Sequence, residues 1–240
     1  MNKHQINWRN LLYLSSSFCF ILVIIIFKIL NSTSYYQNEI LINVFIILEF
    51  CLMLFYIITT KKHKKHWLIL VGVLFAFIGE LIYDWAPKDI SYYGLSLYAI
   101  TAVCFIAYYF YEKKFHIKDL YLLVPFAILW IVFVATMFSL KADYDILILI
   151  AFTFYSLLLC LMLWRASCLN FKNKLNLIIL FGSLLWFISD SLLMCGTLYF
   201  DMNNYPFVLD IVLWLTIRIG FFLLATIGNN PFKLIQKNII

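Results

Sequence analysis

Eight long apolar runs, separated by short polar joints, constrain the fold of this chain more than any other feature. The runs lie at residues 11–30, 40–60, 67–86, 92–111, 119–139, 145–165, 175–199 and 206–228. A transmembrane helix needs about 20 apolar residues, and only helices or closed barrels satisfy their backbone hydrogen bonds in lipid. Runs of this length without strict alternation exclude a barrel. The sequence therefore predicts an all-α integral membrane protein with eight transmembrane helices in a single domain, residues 1–240.

Composition agrees with this interpretation. Only 12% of the 240 residues are charged and 65% are hydrophobic, whereas an ordinary soluble domain has about 25% charged residues. The first run follows Lys3 and Arg9, as in a signal peptide. However, it is longer than an ordinary signal-peptide core and no small-residue cleavage site follows it, so we expect a retained first helix.

Basic residues fall on alternate joints. Fourteen of the 18 Lys and Arg residues lie before the first run or after the second, fourth, sixth and eighth runs, whereas Lys88 and Lys141 lie on the opposite joints. The positive-inside rule then places both termini in the cytoplasm, most simply at the cell membrane. Basic joints beside anionic lipids account for the net charge of +6, so membrane lipids are expected partners and nucleic acid is not.

Cysteine and histidine give no sign of a metal site. The six cysteines show no paired spacing, and the four histidines all lie on the predicted cytoplasmic side. We therefore expect neither a disulfide framework nor a zinc site. A histidine base inside the membrane is also not expected.

Ionisable side chains within the predicted spans are candidates for a functional site, because charge in lipid is costly. Four of them lie at similar depths, roughly 9 to 18 Å below the predicted outer helix ends at about 1.5 Å per residue. They are Glu49, Glu80, Asp190 and Arg218. Asp84 and Asp210 fall nearer the rim, as interfacial residues would. Lys28 is close enough to a helix end to extend outward to the membrane surface.

Four charged groups from four helices predict a polar cavity. Three carboxylates beside one guanidinium leave two excess negative charges, so we expect a protonated acid next to an ionised one. Such a pair suits general acid–base catalysis. Polar contacts that only hold helices together are the competing interpretation, and charge placement alone does not decide between the two.

Two segments resemble each other across the chain. FIGELIY, residues 77–83, and FISDSLL, residues 187–193, share Phe-Ile, a small residue and then an acid. This similarity suggests a parallel four-plus-four repeat in which Glu80 and Asp190 occupy equivalent positions. Gly79 and Ser189, the small residues beside the acids, would allow neighbouring helices to approach closely.

Several motifs resemble those of the lysoplasmalogenase family, the YhhN-type membrane proteins. GSLLWFISDSLL, residues 182–193, closely resembles a family signature. GELIYD, residues 79–84, resembles the family's earlier Gly-Asp motif, and Gly94-Leu95 follows at the expected interval. YSLLLCLMLWRA, residues 155–166, resembles the family's Tyr, Met and Arg-Ala helix. The motifs occur in order over about residues 75–228.

The resemblance implies an eight-helix hydrolase of the vinyl ether bond of lysoplasmalogens. Its lysophospholipid substrate would give a fatty aldehyde and a head group such as glycerophosphoethanolamine. The family's paired acids correspond to Glu80 and Asp190. One carboxylic acid would protonate the β-carbon, and a carboxylate would stabilise the oxocarbenium ion and activate water, as in glycoside hydrolysis. No metal or organic cofactor is required. The residues that would shape the cavity are Glu49, Asp84, Tyr155, Ser189 and Arg218.

The chain departs from the family pattern at three positions. Glu80 stands where the family usually has Asp, Ala102 at about the position of a His, and Phe222 at about that of a Gln. Arg218 could compensate by binding a phosphate or by holding Asp190 ionised, or it could be a structural ion-pair partner.

The last two departures favour an alternative, a lysolipid-binding or lysolipid-sensing protein without catalysis. A proton-coupled small-solute transporter, with Glu49, Glu80 and Asp190 as a relay, is a third hypothesis. Trp186 and Tyr83 flank the acids and could line an acyl channel, although plain packing is the simpler interpretation of both.

Overall fold

A computed structural model describes residues 8–33, 39–59, 66–85, 88–140, 146–171, 173–200 and 206–228. This part of the chain is helical and contains no strand. Its eight helices are α1 Trp8–Thr33, α2 Glu39–Thr59, α3 Trp67–Trp85, α4 Lys88–Glu112, α5 Asp119–Leu140, α6 Ile146–Ser167, α7 Lys174–Phe200 and α8 Phe207–Ala225. Each predicted apolar run coincides with one helix, so the all-α prediction is confirmed.

Seven of the described helices are long and apolar enough to cross a membrane, which indicates an integral multi-pass protein. The remaining one is α3, whose apolar part, Trp67–Ile82, is shorter. The helix surfaces agree with this, because α5 exposes branched apolar side chains such as Ile128, Ile131 and Val132. Exposed residues of this kind suit a helix that faces lipid.

Two helix pairs organise the bundle, and one member of the second pair also contacts the first three helices. Helix α3 packs most extensively against α4, and α7 packs most extensively against α8. Helix α8 also contacts α1, α2 and α3. These contacts bring the last helix against the first three, so that side chains far apart in sequence can meet.

Glycines let both helix pairs approach closely. A Cβ atom at Gly79 would lie 3.1 Å from the Gly94 carbonyl oxygen of α4, and one at Gly220 would lie 3.2 Å from the Gly182 carbonyl oxygen of α7. Backbones that approach this closely leave no room for a larger side chain. Because Glu80 directly follows Gly79, the close contact also fixes how far Glu80 lies from α4.

Gly79→Ala is expected to lower the free energy of unfolding in detergent by about 1–3 kcal/mol, and with it the melting temperature. The added methyl group would lie 3.1 Å from the Gly94 carbonyl oxygen and 3.3 Å from Leu97 Cβ. Neither atom is the mobile end of a flexible side chain, so α3 and α4 must move apart. Ser96→Ala, on the exposed side of α4, is the matched control. The prediction is wrong if the two variants melt at the same temperature.

A buried ion cluster holds the joint between α4 and α5 against α6. The Asp119 carboxylate accepts hydrogen bonds from Lys113 Nζ at 2.8 Å and from Arg165 Nη1 at 3.1 Å. Arg165 is fully buried and also donates to the Lys113 carbonyl. Trp164 Nε1 donates to the Asp119 carbonyl at 2.9 Å. Trp164 and Arg165 of the α6 motif therefore hold the end of α6 to the joint between α4 and α5.

Candidate functional site

A cavity of about 500 Å³ lies between α1, α3, α4, α6, α7 and α8. Its polar lining residues are Lys28, Glu80, Tyr98, Tyr155, Ser189, Asp190, Thr197 and Asp210. Its apolar lining includes Leu95, Leu193, Met194, Leu213, Trp214 and Ile217. The two acids that the sequence singled out, Glu80 and Asp190, therefore line the same cavity, although 110 residues separate them.

Both carboxylate oxygens of Glu80 are engaged. The Tyr98 hydroxyl, from α4, donates to Glu80 Oε2, and Arg218 Nη2, from α8, donates to Glu80 Oε1. Glu80 itself is buried. The close approach of Gly79 to Gly94 explains the first contact, because Tyr98 lies one helical turn beyond Gly94 on the same face of α4. Glu80 is thus held between a neutral donor and a cation.

Asp190 has different partners. Trp186 Nε1, one turn earlier on α7, donates to Asp190 Oδ2 at 2.6 Å, and the Tyr155 hydroxyl of α6 donates to the same oxygen. The spacing of four residues places Trp186 and Asp190 on one helix face. Both donors are neutral and both contact Oδ2. The two acids of the cavity therefore differ in the charge of the groups that hold them.

Arg218 lies between two acids on different helices. Its Nη1 lies 3.6 Å from Glu49 Oε2 on α2, while Nη2 contacts Glu80 on α3. The guanidinium also lies over the Trp214 ring at 4.2 Å and over the Phe50 ring at 5.1 Å. No residue in the described part of the chain hydrogen-bonds the Glu49 carboxylate oxygens. Arg218 is therefore the compensating charge for Glu49 as well as for Glu80.

These positions refine what the sequence suggested for Glu49 and Arg218. Both are buried, but neither is among the described residues that line the cavity. Arg218 contacts Glu80 and Glu49 rather than Asp190, because α8 packs against α2 and α3. The idea that Arg218 holds Asp190 ionised does not agree with this arrangement. Arg218 thus contacts Glu80 without lining the cavity itself.

Ser189 and Tyr155, both predicted from the motifs, do line the cavity. The Ser189 hydroxyl donates to the Leu213 carbonyl of α8 at 3.0 Å and so ties α7 to α8. Tyr155 binds Asp190, as described above. Asp84 and Tyr83 belong to the last turn of α3, and their side chains lie outside the part of the chain that the structure describes.

Sequence reasoning missed or misplaced three contributors. Tyr98 was not singled out, although its position one turn after Gly94 could have indicated it. Trp186, for which plain packing was the simpler interpretation, is a hydrogen-bond donor to Asp190. Lys28, expected to extend outward, instead lines the cavity and pairs with Asp210 at 2.8 Å. That pairing arises because α1 packs against α8.

The positions at which the family's His and Gln were expected are apolar in the structure. Ala102 is fully buried in the hydrophobic core. Phe222 stacks on Tyr13 with ring centroids 5.2 Å apart. Neither is among the described residues that line the cavity. Among the described residues, no three His, Cys, Asp or Glu side chains lie together in a way that could hold a metal ion.

Fold and cavity together define a polytopic helical membrane protein in which two buried acids line one cavity. The chain belongs to the YhhN family, whose model matches residues 39–226 and which corresponds to lysoplasmalogenase-type membrane proteins. The match runs from α2 to the end of α8 and includes Glu80 and Asp190. No curated protein and no solved structure matches the chain. The resemblance read from the sequence motifs is confirmed.

Proposed function

We propose that this protein hydrolyses the vinyl ether bond of lysoplasmalogens, releasing a fatty aldehyde and a glycerophospho head group. The observation that carries the proposal is the shared cavity of Glu80 and Asp190, in which one acid has a cationic partner and the other has only neutral donors. Family membership is compatible with this activity. The apolar lining, including Leu193, Met194 and Ile217, suits an alkenyl chain.

Asp190 supplies the proton in this scheme. Trp186 and Tyr155 both bind Oδ2, so the acidic proton would be carried on Oδ1. Transfer of that proton to the β-carbon of the vinyl ether leaves an oxocarbenium ion at the adjacent carbon. This step is the counterpart of acid catalysis by a carboxylic acid in glycoside hydrolysis.

Glu80 acts as the carboxylate. Arg218 donates to Glu80 and supplies a positive charge beside it. The Glu80 carboxylate stabilises the oxocarbenium ion and accepts a proton from the attacking water. The product is a hemiacetal. Glu80 then returns its proton to the departing glycerol oxygen, while Asp190 takes the hemiacetal proton as the aldehyde forms. Both side chains thereby regain their starting protonation states.

In this proposal the protein lies in the cell membrane with both termini in the cytoplasm, as the alternating basic joints favour. The two halves of the chain form a parallel repeat. One feature supports equivalence of the acids: each lies on a helix with a close glycine contact to the next helix, at Gly79 and at Gly182.

Incubation of the purified protein with lysoplasmenylethanolamine in D₂O tests both the activity and the proposed protonation of the β-carbon. We expect release of a fatty aldehyde that carries one deuterium on the carbon next to the carbonyl, because the β-carbon receives its proton from an exchangeable acid. A lysoplasmalogenase of the same family, assayed in the same detergent, is the positive control. Aldehyde release by the control alone would contradict the proposal.

Glu80→Gln is expected to lower kcat by about 10²–10⁴-fold, the range for loss of a positioned acid–base group. Glu80→Asp, which restores the residue usual in the family, keeps the negative charge and should retain most of the activity. Steady-state rates of aldehyde release distinguish the two variants. Equal rates for Glu80→Gln and the unmodified protein would exclude Glu80 from the chemistry.

A lysolipid-binding protein without catalysis is the second candidate. It is favoured by Ala102 and Phe222, which put apolar side chains where the family's His and Gln were expected. This function would give tight lysolipid binding, no aldehyde, and an affinity that Glu80→Gln leaves unchanged. The D₂O experiment and a binding titration on the same preparation separate the two candidates.

A further inference from the structure

A second pair of charged groups lies in the cavity that holds the two acids. Lys28, near the end of α1, and Asp210, in the first turn of α8, form an ion pair with Nζ 2.8 Å from Oδ2. Both residues line the cavity together with Glu80 and Asp190. Asp210 precedes Arg218, the partner of Glu80, by eight residues on α8. The two positions are therefore separated by about 12 Å along the helix axis.

The two members of this pair are unequally exposed. The Asp210 side chain is 41% exposed and that of Lys28 is 14% exposed. The Lys28 ammonium also lies over the Trp214 ring at 4.3 Å, which holds it in the cavity wall. A partly exposed ion pair contributes little net stability, so it can separate when each partner gains a new contact. A ligand that presents one negative and one positive group in succession would give Lys28 and Asp210 each a new partner of opposite charge.

We propose that Lys28 and Asp210 form a subsite for the zwitterionic phosphoamine head group of a lysophospholipid. Lys28 binds the phosphate and Asp210 binds the ammonium group. In such a lipid the phosphate is next to the glycerol, and the ammonium lies two carbons further out. This order matches the recessed Lys28 and the more exposed Asp210. The inference rests on the proposed function, since the same molecule would place its vinyl ether at Glu80 and Asp190.

The charges around the subsite make it selective. A phosphomonoester head group supplies a negative charge for Lys28 but leaves Asp210 facing that same charge, in a cavity that also contains Glu80 and Asp190. A monoacylglycerol has no charged group and leaves the ion pair closed. We therefore expect the zwitterionic head group to bind more tightly than either the anionic or the uncharged one.

Three ester-linked lipids of equal chain length test this selectivity by titration calorimetry in detergent: lysophosphatidylethanolamine, lysophosphatidic acid and monoacylglycerol. Lysophosphatidylethanolamine should bind about 10- to 100-fold more tightly than monoacylglycerol, the effect of charged hydrogen bonds. It should also bind more tightly than lysophosphatidic acid. None of these probes contains a vinyl ether, so the result does not depend on turnover. Equal affinity for all three lipids would overturn the subsite.

Two variants locate the effect. Lys28→Gln should remove the preference for lysophosphatidylethanolamine over monoacylglycerol, whereas Asp210→Asn should remove its preference over lysophosphatidic acid. Lys114→Gln, an exposed lysine of the joint between α4 and α5, is the matched control and should change neither. Equal weakening of all three lipids by Lys28→Gln would indicate a merely structural bridge and overturn the proposal.

The two proposals fail separately. Selective head-group binding without aldehyde release in the D₂O experiment would retain the subsite and exclude the hydrolase. Aldehyde release without any head-group preference would retain the hydrolase and exclude the subsite. If a variant does not fold, the comparison of three lipids on the unmodified protein still decides the question.

Discussion

Asp190→Asn is expected to lower kcat for aldehyde release from lysoplasmenylethanolamine by about 10²–10⁴-fold. Asn has nearly the shape of Asp and can still accept the hydrogen bonds of Trp186 and Tyr155. It cannot deliver a proton to the β-carbon, because an amide is not an acid of useful strength. The loss should therefore fall on kcat, with lysophospholipid affinity and thermal stability little changed.

Tyr155→Phe is the matched control for this prediction. It removes one of the two donors to Asp190 Oδ2 but leaves the acid itself and the Trp186 hydrogen bond in place. We expect a much smaller decrease of kcat than for Asp190→Asn. An Asp190→Asn enzyme that works within about threefold of the unmodified protein would exclude Asp190 as the proton donor, since positioned acid–base groups contribute far more than this.

The helices could be predicted from the sequence because their length is set by the thickness of a membrane. The main differences arise at polar ends. Helix α4 was expected to begin at residue 92 but begins at Lys88, because a helix can extend beyond its apolar part into polar residues. Apolar content locates a span but does not define where its helix begins.

The acids of the site could also be predicted, but most of their partners could not. Glu80 and Asp190 were found because charge is rare in an apolar segment. Tyr98 and Trp186 are two of many aromatic residues, and only the rotation of α4 and α7 makes them donors to the acids. Lys28 depends on a contact across 182 residues. No local pattern specifies that α1 lies against α8.

Arg218→Met is expected to destabilise the protein by about 3–5 kcal/mol, the range for breaking a buried ion pair by removing one partner. Met fills a similar volume but supplies no charge. Glu49 and Glu80 would then be two buried carboxylates without a compensating cation. Thermal or denaturant unfolding in detergent measures the effect, and Lys114→Met, at an exposed position, is the control for loss of one positive charge.

The double variant Arg218→Met/Glu49→Gln tests whether the arginine acts as a bridge. Removing the Glu49 charge as well should restore part of the lost stability, because only Glu80 then remains without a cation and Tyr98 still donates to it. Each single variant and the double variant together form a thermodynamic cycle, for which we expect a coupling within the range of about 0.5–3 kcal/mol. A coupling near zero would mean that Glu49, which lies 3.6 Å from Arg218, does not depend on it for its charge. Arg218 would in that case serve Glu80 alone.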